Sequence, residues 1–166
     1  FFSLAIAIPS FSQIYIDEDF STFTDSITPP LTSGWKNIDS ITPSLDHRWR
    51  FDNPDNRIFN SPIVAPAAIL DSDFYGLTPF QDAYLQSTSF DASNASVVIL
   101  EFDHYYNHLT GSIAEIQIFD GTNWISDTIF SANTTNPKHE TIDITQYVAG
   151  ISNAQIQFHY IGNYDW

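Results

Sequence analysis

The second half of the chain is a series of short β-rich runs whose side chains alternate between apolar and polar. In residues 97–106 one alternate set is mainly apolar or aromatic (Val98, Leu100, Phe102, His104, Tyr106), and the other contains Glu101, Asp103 and Tyr105. Because successive side chains of a strand point to opposite faces, this pattern predicts a strand with one buried and one wet face. Similar runs occupy residues 113–119, 124–130, 139–144 and 154–161, and residues 145–149 are predicted as a helical turn. Two antiparallel sheets packed face to face satisfy such strands, so the sequence predicts a β-sandwich.

The first half is less regular. Short strands are predicted over residues 15–20, 49–51, 57–60 and 83–87, joined by connections rich in Pro, Ser and Asp. Six prolines lie between Pro29 and Pro66. Since proline cannot donate a ladder hydrogen bond, this stretch is predicted to form loops and sheet edges.

Composition supports an all-β class and excludes several functions. With 166 residues, 43% hydrophobic and 16% aromatic, the chain is long enough for one domain with a real core and too apolar for disorder. A formal charge of −15 would repel a phosphate backbone, which excludes nucleic acid as a partner. The sequence contains no cysteine, so disulfides and thiolate zinc sites are excluded as well.

Both ends of the chain carry signals. The apolar run 1–9 followed by Ser10-Phe11-Ser12 resembles the end of a secretory signal peptide cleaved after Ser12, and it is shorter than the ~20 residues of a membrane span. The alternative is a buried first strand. We therefore expect a signal remnant over residues 1–12, one domain over 13–166, and a secreted or cell-surface protein. The aromatic end at 163–166 has no turn after it, which predicts that a final strand is missing.

The chain carries an ordered series of short motifs, which are Glu18-Asp19-Phe20-Ser21, Pro29-Pro30 with Gly34-Trp35, Trp49 with Phe51, Asp71-Ser72-Asp73, Asp82-Ala83-Tyr84-Leu85, Ser89-Phe90-Asp91, Leu100-Glu101-Phe102-Asp103-His104, the hairpin from Asp120 to Trp124, Gln157-Phe158-His159-Tyr160 and Asn163-Tyr164-Asp165-Trp166. This series resembles the MAM-like jelly-roll modules of secreted bacterial proteins, the group of the cleaved-adhesin and choice-of-anchor J domains. The resemblance implies a jelly roll that serves as a non-catalytic adhesion or ligand-binding module. Its implied partners are other domains of the same polypeptide and a glycan or cell-surface protein.

A calcium site is expected in the first half. Asp71, Asp73, Gly76 and Asp82 occupy positions 1, 3, 6 and 12 of a calcium-loop spacing, although Tyr75 at position 5 and the absence of an entering helix exclude an EF-hand. Close carboxylates repel one another unless a cation is bound. The family resemblance adds Glu18 and Asp19 as ligands. The alternative is that these acidic residues only solvate a loop.

Glu101-x-Asp103 is similar to the paired carboxylates of jelly-roll glucanases, in which a nucleophile and a general acid flank the sugar bond. The third acid of that pattern is replaced by Tyr106, and only Glu115 on the next strand could substitute for it. The sequence also has no histidine spacing typical of zinc and no Gly-x-Ser-x-Gly elbow. We therefore predict no catalytic activity, with a glucanase-like hydrolase as the last alternative.

The polar sides of three strands are predicted to form one ligand-binding face. Carboxylates, planar amides and aromatic rings can hydrogen-bond to sugars or stack on them, so a carbohydrate-binding module is the second hypothesis. The residues of this face are Glu101, Asp103, Tyr105, Glu115, Gln117, Gln155, Gln157 and His159.

Overall fold

The structure is a computed structural model that describes residues 13–41, 47–76 and 80–162. This part of the chain contains seven strands and three short helical segments. The predicted signal segment and the aromatic end at 163–166 lie outside the described residues. The strands are β1 (Lys36–Asp39), β2 (Gln81–Gln86), β3 (Ile99–His104), β4 (Ile113–Phe119), β5 (Trp124–Phe130), β6 (Lys138–Asp143) and β7 (Gln155–Gly162). The helical segments are a 3-10 turn (Leu31–Ser33), α1 (Ser72–Tyr75) and α2 (Thr145–Val148).

The strands form two antiparallel sheets in a sandwich-like arrangement. The larger sheet has five strands in the order β1-β2-β7-β4-β5, and the smaller sheet pairs β3 with β6. The predicted all-β antiparallel class is therefore confirmed, as are all five strands and the helical turn predicted in the second half. No helix of the described residues is long and apolar enough to span a membrane.

The main core lies between the two sheets. Ile116 and Ile118 of β4 and Ile156 of β7 are buried in one cluster. The smaller sheet packs Leu100, Phe102 and Ile142 against them. The apolar side of the run 97–106 therefore faces inward as its alternation predicted.

Aromatic packing organises the first half in place of regular strands. Phe23, Trp35 and Phe51 form a second buried cluster around Leu85 of β2. Of the strands predicted there, residues 83–87 correspond to β2, and 49–51 form only a single bridge between Arg50 and Ile69. Residues 15–20 and 57–60 form no strand, and the short edge strand β1 has too little alternation to be recognised from sequence.

The hairpin between β4 and β5 is set by local chemistry. The Asp120 carboxylate accepts hydrogen bonds from the backbone N–H groups of Thr122 and Asn123, at 2.8 and 2.7 Å. Gly121 has a φ of 92°, which favours glycine. The rings of Phe119 and Trp124 lie 5.2 Å apart, so Trp124 packs across its own hairpin.

Gly121→Ala is expected to destabilise the protein by about 2–3 kcal/mol, because a Cβ adds crowding to backbone strain. The new atom would lie 3.0 Å from both Asn153 Oδ1 and Ile151 Cγ2. Gly111→Ala is the matched control, since its φ of 93° is similar but nothing lies within 4 Å of its Cβ position. Urea unfolding of both variants should show a cost of only about 1 kcal/mol for Gly111→Ala. Equal costs would contradict the crowding at Gly121.

A β-bulge interrupts the edge strand β5. Ile116 of β4 pairs with Thr128, whereas Gln117 pairs with Ser126, so Asp127 is the extra residue. The Tyr147 hydroxyl hydrogen-bonds to Asp127, which raises the pKa of the tyrosine. A bulge with an acidic residue interrupts a row of backbone groups that could otherwise pair with another chain.

Candidate functional site

The outward face of the five-stranded sheet carries a continuous polar strip, which we define as Asp82, Glu115, Gln117, Ser126, Gln157 and His159. The strand register aligns one row of outward side chains across all five strands, consisting of Ile38, Tyr84, His159, Glu115 and Ile129. The neighbouring row consists of Lys36, Gln86, Gln157, Gln117 and Ser126. Polar groups thus fill the centre of the face, and isoleucines stand at both ends of the first row.

His159 is the hub of the polar strip. Its Nε2 lies 2.8 Å from Asp82 Oδ1 and its Nδ1 lies 2.6 Å from Glu115 Oε1, while the ring stacks on Tyr84 with centroids 4.1 Å apart. An ionised carboxylate only accepts hydrogen bonds, so a ring nitrogen that carries a proton can donate to the carboxylate beside it. His159 on β7 therefore links β2 and β4, because one ring nitrogen contacts a carboxylate on each of these strands.

The network continues through Glu115 to the edge of the sheet. Gln117 Nε2 donates to Glu115 Oε1 at 2.6 Å, Ser126 donates to the other carboxylate oxygen, and Gln157 donates to Gln117. Burial acts to raise the pKa of Glu115, but the hydrogen bonds from Ser126, His159 and Gln117 together hold it below its ordinary value. Burial next to Asp82 raises the pKa of Tyr84 to about 12. Both groups thus keep fixed charge states at neutral pH.

Acid is expected to weaken the fold through Glu115. Because its folded-state pKa is lowered from 4.5, its contribution to stability is present above pH 4.5 and is lost as the pH falls through the folded-state value. Glu115→Gln should therefore lose less stability than the parent protein between pH 5 and pH 3, measured by urea unfolding. Glu101→Gln, at an exposed position on the other sheet, is the control and should keep the parental acid slope. An unchanged slope in Glu115→Gln would contradict the assignment.

The predicted single ligand face is divided between two surfaces. Glu115, Gln117, Gln157 and His159 lie together, because β4 pairs with β7. Glu101 and Asp103 lie on β3, which pairs with β6 and not with β4, so they project from the other sheet. Glu115 therefore does not complete a carboxylate cluster with Glu101 and Asp103.

The environments of these two surfaces also differ. Asp103 Oδ1 lies 3.0 Å from His139 Nδ1 on an exposed surface, and Tyr105 beyond β3 is exposed. On the five-stranded sheet, Gln157 and His159 were predicted to be wet but are only 5% and 7% exposed. Gln155, also predicted on this face, donates to the Ser87 carbonyl at 2.9 Å.

Two of the predicted calcium ligands are gathered around an arginine. Arg57 contacts Asp71 through two nitrogens, at 2.7 and 2.6 Å, and its NH2 group also lies 2.8 Å from Asp73. The hydrogen bonds to Asp71 raise the pKa of Arg57 despite partial burial. Asp71 is itself buried. Arg57 lies 14 residues before Asp71, and no spacing in the sequence signals this contact.

The other predicted ligands lie in different local environments. Asp82 is bound to His159 in the polar strip. Glu18 and Asp19 accept hydrogen bonds from the backbone N–H groups of Phe20 and Ser21, at 2.7 and 2.8 Å. Across residues 13–41, 47–76 and 80–162, no group of three or more His, Cys, Asp or Glu side chains is arranged to hold a metal ion. Calcium binding stays a prediction from the sequence.

Fold and site together define a mostly β, sandwich-like protein whose larger sheet presents a hydrogen-bonded polar strip on its outward face. No protein-family model matches the sequence, and no curated protein matches it. The likeness to MAM-like modules thus rests on the short motifs alone.

Proposed function

We propose that this chain is a non-catalytic adhesion or ligand-binding module of jelly-roll type, belonging to a larger secreted or cell-surface protein, and that it binds through the outward face of its five-stranded sheet. The observation that carries the proposal is the polar strip together with its exposed apolar border. Ile38, Ile113 and Ile129 are 38%, 41% and 58% exposed beside the strip. Apolar side chains next to fixed hydrogen-bonding groups suit recognition of a partner.

The bonding within the polar strip favours binding over catalysis. A glycosidase needs a carboxylic acid with a raised pKa opposite a second carboxylate. Glu115 has a lowered pKa and is held by three donors, and Asp82 is held by His159. A rigid site of this kind loses little conformational freedom when a partner binds, which favours affinity.

The proposal is tested by adding a charge to the border of the strip. The chain is coated on beads and applied to arrays of extracellular-matrix proteins and of oligosaccharides. Ile129→Asp should reduce the amount of ligand retained at least tenfold, because it places a charge at the contact. Ile99→Asp is the matched control, since Ile99 is 46% exposed on a strand of the other sheet. Equal loss in both variants, or no retention by the parent, would overturn the assignment of this face.

A carbohydrate-binding module is the second candidate, favoured by the chemistry of the strip. Tyr84, Glu115 and Gln117 lie near one another on this face, and such groups hydrogen-bond to sugar hydroxyls. Retention on oligosaccharides but not on proteins, lost in Ile129→Asp, would favour this candidate. Release of reducing ends from the bound oligosaccharide would instead support the glucanase-like alternative.

Structural calcium is the remaining part of the proposal. What supports it is the calcium-loop spacing of Asp71, Asp73 and Gly76 in the sequence, together with the formal charge of −15 of the chain. We expect the melting temperature to fall by several degrees when a chelator is added, because a ligand that binds only the folded state stabilises it. An unchanged melting temperature would reject calcium while leaving the binding face untouched.

A further inference from the structure

The outer edge of β6 is a row of backbone groups that the smaller sheet leaves unpaired. β3 and β6 form this sheet alone, and just beyond the last strand pair the backbone N–H of Ile144 donates to the Val98 carbonyl at 3.0 Å. Because bonding direction alternates along an antiparallel ladder, the N–H and C=O groups of His139, Thr141 and Asp143 point away from β3. No other segment in the described part of the chain forms a ladder with this edge. Such a row is a template for a further strand.

The edge strands of the larger sheet are poorer templates than β6. β1 is only four residues long, and β5 is interrupted by the bulge at Asp127. Short strands and bulges both limit pairing between sheet edges. β6 has six residues, pairs with β3 in an unbroken register and contains no proline. Its outer edge is therefore free of the features that protect the larger sheet.

The side chains along β6 are complementary to a second copy of the same strand. In an antiparallel pair centred on Thr141, this residue lies opposite its own counterpart, and His139 lies opposite Asp143 of the second copy. The contact of His139 with Asp103 uses Nδ1, so Nε2 can donate to that carboxylate. Threonine pairs and oppositely charged pairs are favourable cross-strand neighbours. The same pairing at the edge of β3 would place Glu101 opposite Glu101 of the second copy, and directly opposed like charges are destabilising.

We propose that two copies of this chain associate through β6, in an antiparallel pair centred on Thr141 that joins the two smaller sheets edge to edge. A twofold axis relates the copies, so each one offers the same backbone groups that it receives. Bonded pairs in such a ladder exchange both of their N–H···O contacts, and a sheet of more than two strands is the more stable arrangement. The formal charge of −15 on each copy opposes association, so the dimer should strengthen as added salt screens the repulsion.

Sedimentation equilibrium of the whole chain, over about a hundredfold range of protein concentration, tests the proposal. Thr141→Pro removes an N–H that points away from β3, so the ladder within the copy is kept. It should raise the dissociation constant of the dimer by about tenfold or more. Glu101→Pro is the matched control, because Glu101 pairs directly with Thr141 and its N–H points to the opposite edge of the sheet. A dimer that resists Thr141→Pro, or that is weakened equally by Glu101→Pro, would overturn the proposal.

A charge exchange tests the register without proline. Asp143→Lys should weaken the dimer, because it places a lysine opposite His139 of the second copy. Adding His139→Asp to this variant should restore association, since opposite charges then face each other again. Failure of the double variant to recover would contradict the antiparallel register. Thermal unfolding of each variant, measured in parallel, separates loss of the dimer from loss of the fold.

Amide hydrogen exchange locates the interface independently of any substitution. The amides of His139, Thr141 and Asp143 should exchange more slowly as protein or salt concentration rises and the dimer forms. A dimer in which these amides exchange as fast as in the monomer uses another surface, and the proposal is then wrong. A chain that stays monomeric at the highest protein and salt concentrations rejects the proposal as well.

Discussion

Replacing His159 with alanine is expected to destabilise the protein by about 3–5 kcal/mol, because two nearly buried carboxylates lose their shared partner, and leaving a buried charged group without a partner is costly. The side chains of His159, Asp82 and Glu115 are only 8%, 19% and 11% exposed, so water does little to screen the two carboxylates that remain. Without the ring, the carboxylates of Asp82 and Glu115 face each other across β7 with no partner between them. Thermal and urea unfolding measure the effect, which should lower the melting temperature by about 10 °C.

His139 provides the control for this prediction. It contacts Asp103 at 3.0 Å, but its side chain is 57% exposed, and exposed pairs contribute at most about 1 kcal/mol. His139→Ala should therefore be close to the parent in stability. A triple variant that replaces Asp82 with Asn, Glu115 with Gln and His159 with Gln removes the charges together and should recover much of the loss. If His159→Ala alone costs less than 1 kcal/mol, the contacts of His159 with Asp82 and Glu115 do not stabilise the polar strip.

Phe51→Ala is expected to cost about 3–5 kcal/mol, because it leaves a cavity in the aromatic cluster that organises the first half of the chain. Phe51 is only 3% exposed, and its ring lies 4.7 Å from Phe23 and 5.9 Å from Phe20. The same residue anchors its loop, since its backbone N–H donates to the Ser26 carbonyl at 2.9 Å. Few ladder hydrogen bonds exist in this half to compensate for a lost ring.

Phe80→Ala is the matched control for Phe51→Ala. Phe80 is 37% exposed just before β2, so its removal should change stability by only about 0.5 kcal/mol. Hydrogen exchange gives a second measurement. Amides of the first half should lose protection in Phe51→Ala before those of β4 and β7. Uniform loss of protection throughout the chain would contradict a separate role for the aromatic cluster.

The strand predictions were accurate where apolar and polar side chains alternate, and poor where prolines are frequent. Residues 113–119 and 124–130 alternate and are joined by Asp120-Gly121, whose local chemistry defines the hairpin, so their strand bounds were predicted without error. In the first half, side chains distant in sequence decide the structure. Trp35 and Phe51 meet at Leu85 in an arrangement that no local pattern encodes.

Only part of the candidate site could be predicted, because alternation is a local signal and strand pairing is not. Alternation placed Glu115, Gln117, Gln157 and His159 on the polar sides of their strands. It could not indicate that β4 pairs with β7 and that β3 pairs with β6. Strand pairing depends on which apolar faces share a core, and this is a property of the whole chain.

By itself the sequence determined the antiparallel β class, the inward faces of β3, β4 and β7 and the hairpin at Gly121, since all of these follow from the period of side-chain direction and from turn chemistry. Only the tertiary structure decided which acidic residues meet a basic side chain. It placed Arg57 between Asp71 and Asp73, and His159 between Asp82 and Glu115. Contacts of this kind join residues 14 to 77 positions apart in the sequence. The charge of a side chain does not specify its partner until the strands have paired.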